Sequence, residues 1–181
     1  MRGSVCLYQG EELGLTEAEL AFEDLVDPYG IEFWPQFKGR DGCRTPMVWQ
    51  TQSPLGGFTT ATRAWLPVPA DHMTKAVDRQ LGDTHSVLAH YKAMLAFRRE
   101  HPALSKGSIT TLDAPDGVLA FVRETAGDRI YCVFNMTEKA AVAQVPVQFT
   151  LAPSGAPGIG GEPVEGTLSL APFGAYIGIL R

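Results

Sequence analysis

Ser4-Val5-Cys6-Leu7-Tyr8, followed at once by Gln9-Gly10-Glu11-Glu12-Leu13-Gly14, is the stretch around which the rest of the chain can be organised. A short, largely apolar run that stops abruptly at Gln-Gly has the pattern of a strand buried on both faces, as in a parallel sheet covered by helices. Polar and charged residues at the C-terminal end of such a strand are where α/β barrels carry their active-site loops. One strand forms no sheet by itself, so the chain must be searched for what accompanies it.

Downstream, Thr16-Glu17-Ala18-Glu19 has the spacing of a capping box, predicting a helix of about ten residues, with Asp27-Pro28 as its stop. From Tyr29 to Pro69 there are five prolines and the aromatics Tyr29, Phe33, Trp34, Phe37, Trp49, Phe58 and Trp65, with no sustained period. Irregular segments of that length are uncommon in compact proteins unless they serve function. Residues 70–101 contain no proline, and Val87, Leu88, Tyr91, Met94, Leu95 and Arg98 follow helical spacing. Asp83 or Thr84 would cap this helix, and Arg98, Arg99, His101 and Pro102 mark its end.

From Ser105 the period switches to 2, predicting antiparallel strands of a sandwich over 108–112, 117–124, 128–135, 141–151, 166–171 and 175–180. Ala126-Gly127-Asp128 makes a hairpin turn, and 153–163 forms a Pro/Gly-rich connection. No internal repeat of 20–50 residues is present.

Composition narrows the possibilities. The 181 residues are 45% hydrophobic and 19% charged, a globular balance, and 15 Lys+Arg against 20 Asp+Glu give a formal charge of −5. That excess of acid argues against nucleic acid as a partner. No run approaches the roughly 18 apolar residues of a membrane helix, and the N-terminus lacks a secretory pattern, so the expectation is a cytoplasmic protein with no membrane partner. Cys6, Cys43 and Cys132 form no CxxC pair and are expected as buried free thiols. The four histidines lack ligand spacing, so neither a metal nor a cofactor is expected.

Four ordered runs carry a resemblance: YQGEELGL (8–15), DPYGIEFWPQFKGRDGCRTPMVW (27–49), WLPV (65–68) and SVLAHYKAMLAFRREHPAL (86–104). Together they resemble the C-terminal third of an α-glucosidase of the α-amylase superfamily, glycoside hydrolase family 13, closest to the bacterial α-glucosidase and oligo-1,6-glucosidase branch. The resemblance implies an α+β fragment. Residues 3–9 would be the eighth strand of a (β/α)₈ TIM barrel, 10–82 its long βα loop, and 83–101 the eighth helix. Residues 1–104 would thus end the catalytic barrel, and 105–181 would form an all-β antiparallel sandwich domain. It also implies a retaining, exo-acting enzyme that hydrolyses, and can transfer, terminal α-linked glucose of small oligosaccharides. The Asp nucleophile, Glu acid/base and third Asp of that family match no position here, so no catalytic residue is assigned. A full barrel needs roughly 250 residues. The expectation is therefore a fragment of a longer enzyme, inactive alone, whose partners are the upstream barrel segment and, through the complete enzyme, an α-glucoside.

Arg44, in Arg-Thr-Pro-Met, matches the arginine that reaches the terminal glucose in relatives; its planar fork suits a sugar hydroxyl and a carboxylate together. It could equally pin the loop through Asp41 or a backbone carbonyl. Arg40 and Asp41 could pair locally or reach the same pocket. Thr45-Pro46 restricts the backbone behind Arg44. Glu11 and Glu12 are adjacent and point apart, so they are expected to orient the loop rather than act as the paired carboxylates of a retaining glycosidase. Phe33, Trp34, Phe37 and Trp49 could stack on sugars or form a miniature core, and Tyr91, Met94 and Leu95 are expected to pack in the barrel. His90 and His101 are expected as surface or capping residues. The alternative function is a non-catalytic structural or carbohydrate-binding β-sandwich module. Against a sugar-binding sandwich, Phe121, Tyr131, Phe134, Phe149, Phe173 and Tyr176 alternate as core residues do. Without barrel neighbours, 5–8 and 87–95 would leave an apolar surface that promotes association.

Overall fold

The computed structural model describes residues 3–156 and 163–181, and the chain separates into two compact units: residues up to 6 with 92–181, and residues 7–91. Five helices and seven strands follow in order among the described residues: α1 (Pro28–Glu32), α2 (Ala70–Met73), α3 (Val77–Leu81), α4 (Val87–Glu100), α5 (Pro102–Lys106), β1 (Ser108–Leu112), β2 (Val118–Thr125), β3 (Asp128–Asn135), β4 (Ala141–Gln144), β5 (Leu151–Pro153), β6 (Thr167–Leu170) and β7 (Ala175–Leu180).

In the first unit, period-2 sequence becomes an antiparallel five-stranded sheet in the order β1-β2-β3-β7-β5, with β4 and β6 pairing separately. Alternation decides which face each residue serves. Ala120, Val122, Tyr131, Val133 and Tyr176 form one core with Ala143, Leu168 and Leu170 of the two-stranded sheet, which makes this a sandwich. The opposite set, Phe121, Ile130, Cys132 and Ile177, packs against Phe97 of α4 and Ala103 and Leu104 of α5. Burial among these side chains pushes the Cys132 thiol up to about 12.

The run expected as one strand over 141–151 is two short ones in different sheets. Pro146 lacks the amide a continuing ladder needs, and the chain crosses over there. The Pro/Gly-rich connection falls largely on 157–162, outside the described residues.

Arg123 lies on the helical side of the sheet and is fully buried. Its guanidinium donates to the carbonyls of Ser108 (3.0 Å), Leu104 (3.1 Å) and Gly107 (2.9 Å), closing the irregular link between α5 and β1. His101 precedes α5, and its Nδ1 lies 3.1 Å from Asp128 Oδ1, while Asp128 Oδ2 accepts the Ala103 amide at 2.9 Å. His101 thus occupies the cap position of α5, but the side chain that caps it is that of Asp128 in β3.

The second unit has helices but no ladder. Leu13, Val48 and Ala76 form its centre, joined by Leu15, Met47, Val68, Met73, Val77 and Leu88. Residues 4–8, expected as a buried strand, join no strand ladder among the described residues, and Val5, Leu7 and Tyr8 are 50, 39 and 50% exposed. A parallel strand exists only where neighbours supply both rows of hydrogen bonds, and here none does.

The helix expected after Thr16 is also absent. The Ala18 amide donates to Gly42 O (3.0 Å) and Thr16 O accepts from His72 Nε2 (2.9 Å), so tertiary bonds hold this segment extended against its propensity. Asp27-Pro28 starts a helix rather than stopping one: Asp27 caps α1 and Pro28 takes its first position, where no amide is needed. The cap of α4 is Ser86, whose Oγ accepts the Ala89 amide (3.1 Å) and donates to Gln80 O (2.9 Å); Asp83 instead accepts from His85. In α4 only Phe97 is buried, and Leu95, expected as barrel core, is 45% exposed. Cys6 and Cys43, expected as buried thiols, are exposed.

One brace ties this irregular chain together. Asp41 Oδ2 accepts the amides of Val26 and Asp27, each at 2.7 Å. Asp27 in turn accepts Arg40 Nε and NH2 at 2.9 Å each and the Arg40 amide at 2.9 Å. Gly39, at φ +76°, allows the approach, since a Cβ there would meet Gly30 Cα at 2.8 Å. The Arg40 guanidinium holds the Asp27 carboxyl well below its ordinary range, and Asp27 raises Arg40 in return.

Three predictions follow from this architecture. Replacing Arg123 with Met removes three hydrogen bonds to buried and part-buried carbonyls, of which the one at Leu104 keeps a donor from Arg98, and should cost about 2–4 kcal/mol in urea unfolding. Because the Asp27 carboxyl is depressed, the brace stabilises above the ordinary value of 3.8 and that contribution is lost as pH falls below it. The melting-temperature gap between wild type and Asp27→Asn should therefore be widest near neutrality and narrow below pH 3.8. With Val5, Leu7, Tyr8, Val87 and Leu95 all exposed, the chain should self-associate and bind a hydrophobic dye; a clean, dye-free monomer by sedimentation overturns this.

Candidate functional site

The segment that follows Tyr8 turns through a 3₁₀ element, Glu11–Leu13, and Glu12 Oε2 folds back onto the Gly10 amide at 2.9 Å. Glu12 is thus committed to shaping the turn, while Glu11 stays exposed. Against this turn lies a small open cleft of about 90 Å³ whose lining includes Tyr8, Glu11, Glu17, Cys43, Thr45 and His72.

His72 was not singled out by sequence reasoning, because α2 is too short to carry a periodic pattern. It is fully buried; Nε2 donates to Thr16 O at 2.9 Å, which fixes the tautomer, and Nδ1 faces Thr45 Oγ1 at 3.5 Å. One imidazole thereby joins the 16–18 strap to the loop that bears Arg44.

Arg44 follows the 3₁₀ turn Asp41–Cys43, its amide donating to Asp41 O at 2.9 Å. Thr45 and Pro46 behind it are buried, so the backbone is fixed on both sides. The Arg44 side chain is half-buried, and its guanidinium makes no hydrogen bond or ion pair among the described residues. It does not pin the loop through Asp41. A positioned arginine with its donors free is equipped to grip ligand oxygens.

Arg40 and Asp41, the other two candidates, do not pair with one another. Arg40 is bound to Asp27, and Asp41 is wholly buried, with Oδ2 on two amides and Oδ1 without a partner among the described residues. Both fix the loop on which Arg44 stands. The aromatics of this segment contact one another, Tyr29 with Phe33 (centroids 5.4 Å) and Phe37 (6.3 Å), and Phe22 with Trp34 (5.8 Å), while Tyr29, Phe33 and Phe37 stay exposed.

Comparison with known proteins sets these features in a lineage. Residues 1–107 match the family model of the α-amylase catalytic domain, and 109–177 that of the maltogenic amylase C-terminal domain. A probable α-glucosidase of Rhizobium meliloti (strain 1021) is 49% identical over 97% of this chain and 31% of its own. An oligo-1,6-glucosidase of Parageobacillus thermoglucosidasius is 29% identical over 81% of this chain and 29% of its own. Among solved structures, an α-glucosyl transfer enzyme, XgtA, superposes with a TM-score of 0.91 at 48% identity, covering 99% of this chain and 33% of that one. The chain therefore spans about a third of the length of the relatives it matches. It belongs to the α-amylase family of glycoside hydrolases, family 13.

Proposed function

We propose that this chain supplies the C-terminal part of a retaining, exo-acting α-glucosidase, with Arg44 holding the terminal glucose of a small α-linked oligosaccharide. The observation that carries the reading is the 49% identity to a probable α-glucosidase over nearly the whole chain, joined to a guanidinium at Arg44 that is positioned and unoccupied. Residues 1–104 complete the barrel end and 105–181 form the sandwich. Arg40 and Asp41 act on the same pocket by fixing the Asp41–Cys43 turn. The carboxylates that attack and protonate the sugar belong to the upstream barrel segment, which is the partner this chain requires. A sugar-binding role for the sandwich has little support: Phe121, Tyr131 and Tyr176 are in its cores, and only Phe173 is strongly exposed.

The test is release of p-nitrophenol from the α-D-glucoside by the purified chain, alone and after co-expression with the remaining part of the Rhizobium meliloti relative. Inactivity alone with recovery on assembly supports the proposal. Turnover by the chain alone overturns the placing of the carboxylates elsewhere, and no activity in either case leaves a non-catalytic module. In the assembled enzyme, Arg44→Ala should lose about 1.5–3 kcal/mol of binding to the sugar, roughly 10- to 150-fold in kcat/KM.

A further inference from the structure

A second concavity, apart from the cleft beside His72, is built on the turn Pro54–Gly57. It is an open depression of about 660 Å³, lined by Gln50, Ser53, Gly57, Phe58, Thr59 and Thr60 among others. Its lining carries no charged side chain, so it offers no counter-charge to an ionic ligand. What it does carry is one exposed aromatic ring, Phe58 at 45% exposure, surrounded by neutral hydrogen-bonding groups.

Those groups have capacity left over. Ser53 Oγ donates to Gln50 Oε1, which leaves the Gln50 amide NH₂ free, and Thr59 Oγ1 accepts the Ala61 amide at 3.1 Å, which leaves its hydroxyl proton free. The Thr60 hydroxyl has no partner among the described residues. The frame beneath is hydrogen-bonded and packed. Gly56 O accepts both the Trp49 and Gln50 amides, at 2.7 and 2.9 Å. Gly56 itself sits at φ +65° against Val48, where a Cβ would meet Val48 Cγ1 at 2.9 Å, and Val48 is fully buried in the core of this unit. The turn is anchored to packed side chains rather than hanging in solvent.

An apolar face beside several uncharged donors and acceptors on a preformed frame matches one ligand chemistry: a polyhydroxylated ring with C–H groups on one side and hydroxyls around its rim. We infer that the Gln50–Thr60 concavity is a second, non-catalytic sugar-binding site that holds a glucose unit of an α-linked oligosaccharide by stacking on Phe58. The choice of α-linked glucose rests on the proposed function; the existence of the site does not.

Titration calorimetry of the 181-residue chain with maltotriose and isomaltotriose, and with cellotriose for comparison, tests it. The expected result is saturable binding of an α-linked triose in the millimolar range, weakened about tenfold by Phe58→Ala and measurably by Thr60→Val, and unchanged by Phe173→Ala, which removes an exposed ring from the sandwich. These variants lie at exposed positions, and an unchanged melting temperature separates lost binding from lost folding. No saturable binding of any triose overturns the inference. So does binding that Phe58→Ala and Thr60→Val leave intact, or binding abolished by Phe173→Ala, which would put the sugar on the sandwich instead. Preference for cellotriose would keep the site but overturn the α-glucoside assignment. Failure of the co-expressed halves to regain activity bears only on the proposed function, and absence of triose binding only on this site.

Discussion

The buried carboxylate of Asp41, accepting the amides of Val26 and Asp27, answers the constraint that shapes the whole second unit. Residues 7–91 contain short helices but no strand, so most of their backbone groups have no ladder partner, and a buried amide or carbonyl left unpaired costs free energy. Side chains therefore take the place of a sheet. Asp27 and Arg40 extend the brace, His72 ties Thr16 O, and Lys75 Nζ reaches Gly14 O at 2.7 Å. Gln80 alone serves three backbone groups, donating to Leu13 O and Lys75 O and accepting the Leu88 amide. Arg123 does the same for the α5–β1 link in the sheet unit.

This explains which parts of the fold could be read from sequence. Helix α4 and the hairpin β2–β3 have periods, 3.6 and 2, and both stand close to where those periods put them, but only in the hairpin does the period also report which side is buried. The Thr16–Glu19 capping box failed because its signal is local, while the competing bonds from Gly42 and His72 come from residues 24 and 56 positions away. Asp27-Pro28 was legible as punctuation but ambiguous in sense, since proline both ends a helix and opens one. The Asp27 carboxyl decided the matter by capping forward to the Tyr29 amide.

For the site the division is similar. Arg44 was found through a motif, and its isolation from other side chains gives that motif a physical meaning. Arg40 and Asp41 were found as neighbours, but adjacency in sequence misled about their partners: each turns to the 26–27 backbone or side chain rather than to the other. His72 left no pattern at all. A buried polar residue in a four-residue helix is detectable only once its partners are known.

The one element whose sequence and surroundings disagree is α4. Its apolar residues recur at helical spacing, yet only Phe97 is buried and Val87 and Leu95 are more than two-fifths exposed. An isolated helix of 14 residues is marginal in water, and amphipathic helices owe most of their stability to the face they bury. The same mismatch holds for residues 4–8, apolar in sequence and exposed in structure. Two stretches whose patterns call for burial, each lacking its neighbours, are what an incomplete barrel would present. The relatives are about three times as long as this chain, so the proposed upstream segment accounts for both mismatches at once.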